Sequence, residues 1–262
     1  MLWVCFFLVL NMATAFRPLL VPRVLRASST SSVSVSMSLQ REVEKQTYKE
    51  KLYLLSAKSL RGSLMSDAEK LDAAFLIENL EMMNPTYRPA MSQTVVGEWE
   101  LIYTSTRVIR ASPLFQVIRA AFGDNVRLFN TVFNVLKEPL KVTRVGRVTQ
   151  SVTPVAITSG LETEVALIPF IKTKTTITST ADIAKSDDGS WELRMDKIAV
   201  KDGILAQFPG IPIRAITSFL ERIPQFETPK AVVNVTYVDQ DLRIIRDQDS
   251  NVFVYTRIAA KP

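Results

Sequence analysis

The chain of 262 residues contains no histidine and only one cysteine, Cys5. Histidine is the usual general base at neutral pH, and histidine and cysteine provide most ligands of zinc and other transition metals. One cysteine cannot form an internal disulfide, and Cys5 lies in a segment that we expect to be removed. The composition therefore argues against histidine-based and thiol-based enzymes, and we expect neither a metal nor a cofactor.

Glycine is also scarce. None of the eight glycines belongs to a Gly-x-Gly-x-x-Gly fingerprint, a phosphate-binding loop or a Gly-x-Ser-x-Gly elbow, so nucleotide-binding and hydrolase functions lack a motif.

The excess of positive charge is small as well. Arg17, Arg23 and Arg26 precede residue 39, and from there on 29 Lys and Arg stand against 26 Asp and Glu. A net charge of +3 is too low for a nucleic-acid-binding surface, and we expect no nucleic acid partner.

The N-terminus has the composition of a targeting leader. Residues 2–10 are apolar but too few to span a bilayer, and Ala13-Thr14-Ala15 places small residues before a cut at Phe16, which predicts a signal peptide over residues 1–15. Residues 16–41 contain four arginines, no acidic residue and a serine-rich stretch, which predicts a transit peptide. This order resembles the bipartite leaders of algae with secondary plastids. The alternative is a secreted protein with a disordered linker.

Two helices are predicted after the leader. Apolar residues recur at helical spacing in residues 42–61, and Gly62 is suited to a C-terminal cap. Ser66 and Glu69 then fit a capping box, in which the serine oxygen and the glutamate carboxylate satisfy free amides at a helix start. The second helix carries an apolar stripe and ends before the Asn-Pro pair that follows Met83. We therefore predict an N-terminal helical hairpin over residues 42–94.

From Val95 the apolar period changes to two, which is typical of half-buried strands. Further strands are predicted near residues 126–136, 142–153, 161–168, 171–181, 190–200, 231–238, 241–246 and 251–258. The strand from Trp191 changes phase at Ile198, which predicts a β-bulge. Two apolar segments near 112–122 and 205–226 are predicted to be short helices. Residues 95–262 are thus expected to form a mainly β domain, an antiparallel barrel of nine or so strands, together with the hairpin.

Gly97 and Trp99 open the first strand with the Gly-x-Trp arrangement of lipocalins, in which a buried tryptophan closes one end of a barrel. Glycine permits close approach of the backbone, and a guanidinium group over an indole ring is a favourable cation–π contact. We expect Arg243 or Arg246 to lie across Trp99. A strand tryptophan is also an ordinary core residue in any β-protein, so the pattern alone is weak.

Carboxylates are the remaining catalytic groups, and Asp239 and Asp241 are the one pair spaced like an acid/base couple. They lie between two predicted strands, where aspartates commonly form side-chain turns or pair with basic residues. We favour this structural interpretation and predict no catalytic residue.

The sequence resembles the plastid lipid-associated protein (fibrillin) family. The resemblance rests on residues 236–246 (Thr-Tyr-Val-Asp-Gln-Asp-Leu-Arg-Ile-Ile-Arg) with 251–254 (Asn-Val-Phe-Val), on 80–86, which ends Asn-Pro-Thr, and on 96–105 (Val-Gly-Glu-Trp-Glu-Leu-Ile-Tyr-Thr-Ser). It extends over about residues 45–258. The family positions matched here are Gly97, Trp99, Asp239, Asp241, Arg243 and Arg246. A glycine common in the family's closing hairpin is missing from residues 247–250, so the type of that turn stays open.

The resemblance implies a lipocalin-like β-barrel that associates with plastoglobules or thylakoids and with carotenoids, quinones or other apolar lipids. We therefore expect a non-enzymatic protein that binds such a lipid or coats a lipid surface. The alternative is a scaffold for an isoprenoid or quinone biosynthetic enzyme, with no internal ligand. A third hypothesis is a lipocalin-type enzyme such as a xanthophyll de-epoxidase, but those enzymes are rich in histidine and cysteine.

Two sets of residues are expected to carry the binding function. The barrel interior is expected to contain Trp99, Leu101, Tyr103, Phe129, Phe133, Trp191, Leu193, Met195, Tyr237, Phe253 and Tyr255. A helix at residues 211–223 has an apolar face flanked by two arginines, so it is expected either to lie on a lipid surface or to plug the barrel. The apolar residues of this helix are Ile213, Ile216, Phe219, Leu220 and Ile223.

Overall fold

The structure is a computed structural model that describes residues 29–121, 127, 142–168, 171–201 and 230–258. The chain divides into two units, Met1–Gln40 and Arg41–Pro262, and the second contains the β-sheet. Several predictions lie outside the described residues. The first is the leader, namely the signal peptide and the start of the transit peptide. The second is the strand near 126–136, which contains Phe129 and Phe133 and of which only residue 127 is described. The third is the helix near 205–226, which contains Ile213, Ile216, Phe219, Leu220 and Ile223.

Two long helices precede the sheet, as predicted. Helix α1 spans Ser29–Lys58 and helix α2 spans Asp67–Met82. Helix α1 begins well before residue 42, because the serine-rich stretch contains no proline or glycine to stop it. The predicted capping box at Ser66 and Glu69 is confirmed, since the serine oxygen accepts from the Glu69 amide and the Glu69 carboxylate accepts from the Ser66 amide.

Most strand bounds lie within two residues of the predicted ones, but one strand begins five residues earlier, at Ala156, and the next ends five residues later, at Ser186. Eight strands follow the helices in the described part of the chain. They are β1 (Gly97–Thr104), β2 (Val142–Val152), β3 (Ala156–Ile168), β4 (Ile171–Ser186), β5 (Ser190–Lys201), β6 (Lys230–Val238), β7 (Leu242–Arg246) and β8 (Val252–Arg257). Between β1 and β2 lie a short 3-10 helix, Val108–Ala111, and helix α3, Pro113–Ala121. Helix α3 agrees with the helix predicted near 112–122.

The eight strands form a closed barrel in which each strand pairs antiparallel with its neighbours in sequence and β1 also pairs with β8. Each of these strands is therefore paired on both sides over at least part of its length. The bulge predicted in β5 is present, because Lys197 pairs with Thr180 and Met195 with the next residue, Ala181, so that Asp196 has no partner in β4. The predicted fold class, a mainly β antiparallel barrel after N-terminal helices, is confirmed.

One end of the barrel, called here the closed end, is covered by two 3-10 helices, Pro89–Met91 and Gln93–Val95. Two buried indoles attach these helices to the sheet. The indole N–H of Trp99 donates to the Val95 carbonyl at 2.9 Å, and that of Trp191 donates to the Ala90 carbonyl at 2.9 Å. Each tryptophan therefore buries its ring while its one polar atom is satisfied. Helix α3 packs against β3, β4, β5 and β6 and reaches the β7–β8 turn at the opposite end.

The buried apolar residues form two clusters on the two faces of the barrel. The inner cluster draws on all eight strands and includes Trp99, Leu101, Val148, Val152, Ile157, Leu161, Ala181, Trp191, Leu193, Ala231, Val233, Val235, Ile245, Phe253 and Tyr255. The outer cluster joins α1 and α2 to β1, β6, β7 and β8 through Leu52, Met65, Ala73, Leu76, Ile77, Leu80, Tyr103, Tyr237, Leu242, Ile244, Val252 and Val254. The helical hairpin thus covers one side of the barrel, and four strands are buried on both faces.

Gly62 lies where the loop after α1 meets the end of β1. Its φ is +90°, and a Cβ atom there would lie 2.7 Å from the Thr104 carbonyl oxygen and 2.9 Å from Cε2 of Tyr103. Both the backbone conformation and the close approach therefore require glycine at this position.

We predict that Gly62→Ala lowers the free energy of unfolding by about 1–3 kcal/mol, because it combines an unfavourable φ with a clash against backbone. Gly189→Ala is the matched control, since a Cβ atom at that position would meet no other atom within 4 Å. Urea unfolding of both variants measures the difference. Equal effects of the two substitutions would contradict this role of Gly62.

Candidate functional site in the barrel interior

Most of the residues predicted to line the barrel lie in the inner cluster. They are Trp99, Leu101, Trp191, Leu193, Phe253 and Tyr255, and Met195 packs against them. Tyr103 and Tyr237 differ and belong to the outer cluster beneath the helices. Whether any of these side chains contacts a ligand stays a prediction.

The two tyrosines change face because β-bulges interrupt the alternation. The register between β1 and β8 shifts between Leu101 and Tyr103, and that between β6 and β7 shifts between Val235 and Tyr237. An extra residue in one strand sends the following side chains to the opposite face. Strict alternation from Trp99 therefore gives the correct face for Leu101 but the wrong face for Tyr103.

The closed end is organised around Trp99, whose indole ring lies close to two guanidinium groups. Cζ of Arg243 lies 5.0 Å from the ring centroid and Cζ of Arg257 lies 4.2 Å from it. The predicted contact from Arg243 is therefore confirmed, and the contact from Arg257 is additional. Arg246, the other candidate, lies outside and forms two 2.8 Å hydrogen bonds to the Glu81 carboxylate of α2.

The sequence analysis did not predict the contact between Arg257 and Trp99. Gly97, which it did single out, lies next to the Arg257 side chain. A Cβ atom at Gly97 would lie 2.5 Å from Nη1 of Arg257, so this glycine leaves room for the guanidinium group. The same group donates to three backbone carbonyls, those of Thr94, Val96 and Gln240. Arg257 thus joins the segment before β1 to the β6–β7 turn and helps to seal the closed end.

Arg243 is 0% exposed, and its guanidinium group lies within the inner wall. Its Nη2 donates to Oε1 of Gln150 at 2.5 Å, and its Cζ lies 4.5 Å from the ring centroid of Tyr255. Among the described residues, its Nε and Nη1 atoms have no hydrogen-bond partner. Burial, with a smaller effect of the nearby Arg257, lowers the pKa of Arg243 to about 10, so the group keeps its positive charge at neutral pH.

A row of polar side chains continues from Arg243 around the inner wall. Gln150, Ser159 and Ser179 are consecutive partners in the register of β2, β3 and β4. The Gln150 amide donates to the Ala111 carbonyl at 3.0 Å, and the hydroxyl groups of Ser179 and Ser112 are 2.7 Å apart. The Ser159 hydroxyl is buried and has no hydrogen-bond partner in the part of the chain that the structure describes. The segment that leads into α3 therefore touches the inner wall through polar contacts.

Asp239 is held in a structural network on the outer side. Its Oδ1 accepts from the backbone amides of Asp241 and Leu242, both at 2.9 Å. Its Oδ2 lies 2.5 Å from the Lys49 ammonium and accepts from the Tyr237 hydroxyl. Both oxygens are occupied, so this geometry favours the turn and ion-pair interpretation over acid/base catalysis. In the part of the chain that the structure describes, no group of three or more acidic, cysteine or histidine residues could hold a metal.

A small cavity of about 240 Å³, which includes space open to solvent, lies beside α3. Its lining residues are Arg110, Phe115, Gln116, Arg119, Ala231, Val232, Asp247 and Gln248. Arg119 donates twice to the Asp249 carboxylate, at 2.7 and 2.8 Å, and Arg110 donates to it at 2.6 Å. These ion pairs attach α3 to the β7–β8 turn. In that turn Ser250 adopts a φ of +60°, a left-handed conformation that glycine adopts most readily.

A closed antiparallel barrel, with a buried tryptophan in its first strand beneath an arginine from a late strand, defines a lipocalin-like β-barrel protein. The PAP_fibrillin family model matches residues 46–256, and the chain belongs to this family of plastid lipid-associated proteins. No curated protein and no solved structure matches the chain. Within the residues that the structure describes, no helix is long and apolar enough to cross a membrane.

We predict that Asp239→Asn lowers the free energy of unfolding at pH 7 by about 2 kcal/mol, because Lys49 loses its buried partner. Burial by itself would raise the pKa of Asp239, but Lys49, Tyr237 and the two amides outweigh it and lower that pKa. The ionised carboxylate therefore makes its full contribution to stability at pH values above about 3.9, the pKa of aspartate in the unfolded chain. This contribution is lost as the pH falls through the lower pKa of the folded state.

Asp241→Asn provides the control for this experiment, since the Asp241 side chain is 73% exposed and lies 3.6 Å from Lys49. We expect a change of no more than about 0.5 kcal/mol for it. Denaturant titrations of both variants between pH 7 and pH 3 measure the difference. A deficit of Asp239→Asn that stays constant down to pH 3 would show that the carboxylate charge is not its source.

Proposed function

We propose that the protein binds an apolar lipid, carotenoid or quinone in its barrel and associates with plastoglobule or thylakoid surfaces in a plastid, without catalysing a reaction. The observation that carries this proposal is the closed barrel with an apolar and aromatic inner wall, in a chain that belongs to the PAP/fibrillin family. The interior of a small barrel is a common place for one small apolar ligand. The predicted leader over residues 1–41 supports a location in the plastid.

The two ends of the barrel favour entry from one direction. The closed end is occupied by Trp99, Trp191 and the two 3-10 helices. The N–H group of each indole donates to a backbone carbonyl of these helices. The opposite end is covered by α3, which is attached through Asp249 and borders the small cavity. Displacement of α3 is therefore the simplest route for a ligand. The predicted helix at residues 211–223 remains our candidate for contact with a lipid surface.

A scaffold for an isoprenoid or quinone biosynthetic enzyme is the second candidate function, and two observations favour it. Side chains already fill the inner wall near Trp99 and Arg243. Helix α2 also exposes Leu71, Phe75 and Met82 to solvent. These three residues are separated by nearly whole helical turns and therefore lie on one face of the helix. An exposed apolar helix face is typical of a surface that binds a protein partner.

Ligand capture separates the two functions. The full chain is incubated with total plastid lipid and pigment extract, purified again by size exclusion, and the bound molecules are identified by mass spectrometry. The lipid-binding function predicts one defined carotenoid, quinone or acyl lipid at a ratio near one to one. A protein that emerges empty, or with an unselective mixture of lipids, would contradict an internal site and favour the scaffold.

We predict that Asp249→Asn loosens α3 and accelerates ligand uptake. It removes the carboxylate charge that Arg110 and Arg119 share at the β7–β8 turn, while Asp247 stays 4.0 Å from Arg110. Charge-assisted hydrogen bonds of this kind contribute about 1.5–3 kcal/mol, so amide exchange in α3 should rise by roughly tenfold or more if α3 opens locally. Hydrogen exchange and stopped-flow uptake of a fluorescent fatty acid measure the two effects.

Asp188→Asn is the matched control, because Asp188 forms an exposed ion pair with Arg88 at the closed end. It should change neither α3 exchange nor uptake. If Asp249→Asn increases exchange in α3 but leaves uptake unchanged, the ligand does not enter past α3.

A further inference from the structure

The guanidinium group of Arg243 is the most unusual charge in the barrel. No carboxylate pairs with it among the described residues, and its Nε and Nη1 atoms lack hydrogen-bond partners although the side chain is 0% exposed. Two other arginines that are withdrawn from solvent do have carboxylate partners. Arg246 pairs with Glu81 and Arg119 pairs with Asp249. Arg243 is more deeply buried than either, yet it has no anion beside it.

The contacts of Arg243 compensate its charge only in part. The rings of Trp99 and Tyr255 provide cation–π contacts, and Gln150 accepts one hydrogen bond. The second cation at Trp99, Arg257, increases the positive potential and has only carbonyl partners. A buried cation without an anion or full hydrogen bonding is costly, so this position is suited to a negatively charged group from outside the chain.

The surroundings show which kind of anion fits. Ser159 is 1% exposed, and its hydroxyl has no partner within the described ranges of the chain. It pairs in register with Gln150 and offers a further donor to an incoming oxygen. Beyond these polar groups the inner wall is apolar, with Leu101, Leu161 and Leu193. A ligand that satisfies both regions has a small anionic head and a long apolar chain. A hydrocarbon carotenoid or a neutral quinone would leave the guanidinium charge without a counter-ion.

We propose that Arg243 is the counter-ion for the carboxylate head of a long-chain acid bound inside the barrel, and this proposal rests on the lipid-binding function proposed above. The carboxylate accepts hydrogen bonds from the unpaired N–H groups of Arg243, with the Ser159 hydroxyl as a neighbouring donor. The acyl chain extends away from the closed end, towards α3. The alternative is that ordered water alone satisfies these groups.

The test compares ligands of equal chain length on the full chain. Dodecanoic acid and 1-dodecanol are titrated at pH 7.5 by calorimetry and by displacement of a fluorescent probe. We expect the acid to bind at least tenfold more tightly than the alcohol. In Arg243→Met, which keeps the length of the side chain without its charge, the acid should lose this advantage and the alcohol should bind as before.

Arg147→Met is the control variant, because Arg147 is an exposed arginine on strand β2 that pairs with Glu100. It should leave the preference for the acid unchanged. A second measurement uses the unmodified protein, so that the test does not depend on the folding of Arg243→Met. The ¹³C NMR signal of bound [1-¹³C]dodecanoate should show a carboxyl group that stays ionised well below the pH at which free dodecanoate is protonated.

Any of four outcomes would overturn the proposal. Equal affinities for the acid and the alcohol, or a bound carboxyl group that titrates as it does in water, would show that water alone satisfies Arg243. If neither compound binds while a carotenoid or quinone from the plastid extract does, the carboxylate site fails and the lipid-binding function stands. If no compound of any kind binds, both proposals fail.

Discussion

The stacking of Trp99 against two guanidinium groups is the contact on which the rest of the barrel depends. The indole comes from β1, whereas Arg243 and Arg257 come from β7 and β8, so this contact joins the first and last strands of the sheet. Gly97 leaves space for Arg257, whose bonds to the carbonyls of Val96 and Gln240 fix the segments on either side. One end of the barrel is thereby sealed by aromatic and cationic groups.

The recurrent residues of the family's closing motif serve both faces of the barrel. Arg243 points inward to Gln150 and Trp99, while Arg246 points outward and binds Glu81 of α2. Asp239 binds Lys49 of α1. A short stretch of chain therefore organises the inner wall and attaches the helical hairpin at the same time. Asp239, one of the two aspartates with the spacing of an acid/base pair, takes part in this attachment.

Local patterns in the sequence predicted the local structure well. The capping box at Ser66, the eight described strands and the bulge near Ile198 follow from residue type and period. The Gly-x-Trp pattern left two candidate arginines, and one of them, Arg243, contacts Trp99. The misses have nonlocal causes. Bulges after Leu101 and Val235 reverse the phase of the tyrosines that follow, and the contact of Arg257 depends on closure of the barrel. The polar row at Ser159 was missed because serine in a strand carries no signal of burial.

The pairing of β1 with β8 also shapes how the chain folds. These strands are separated by about 150 residues of sequence, whereas every other pair in the barrel joins consecutive strands. During synthesis β1 can pair with β2 on one side only, and its other edge stays open until β8, the last of the eight strands, has been made. Contacts of such high contact order form slowly, and an open edge invites pairing with other chains. The nascent barrel is therefore most prone to aggregate just before it closes, which is the stage at which a chaperone would be most useful.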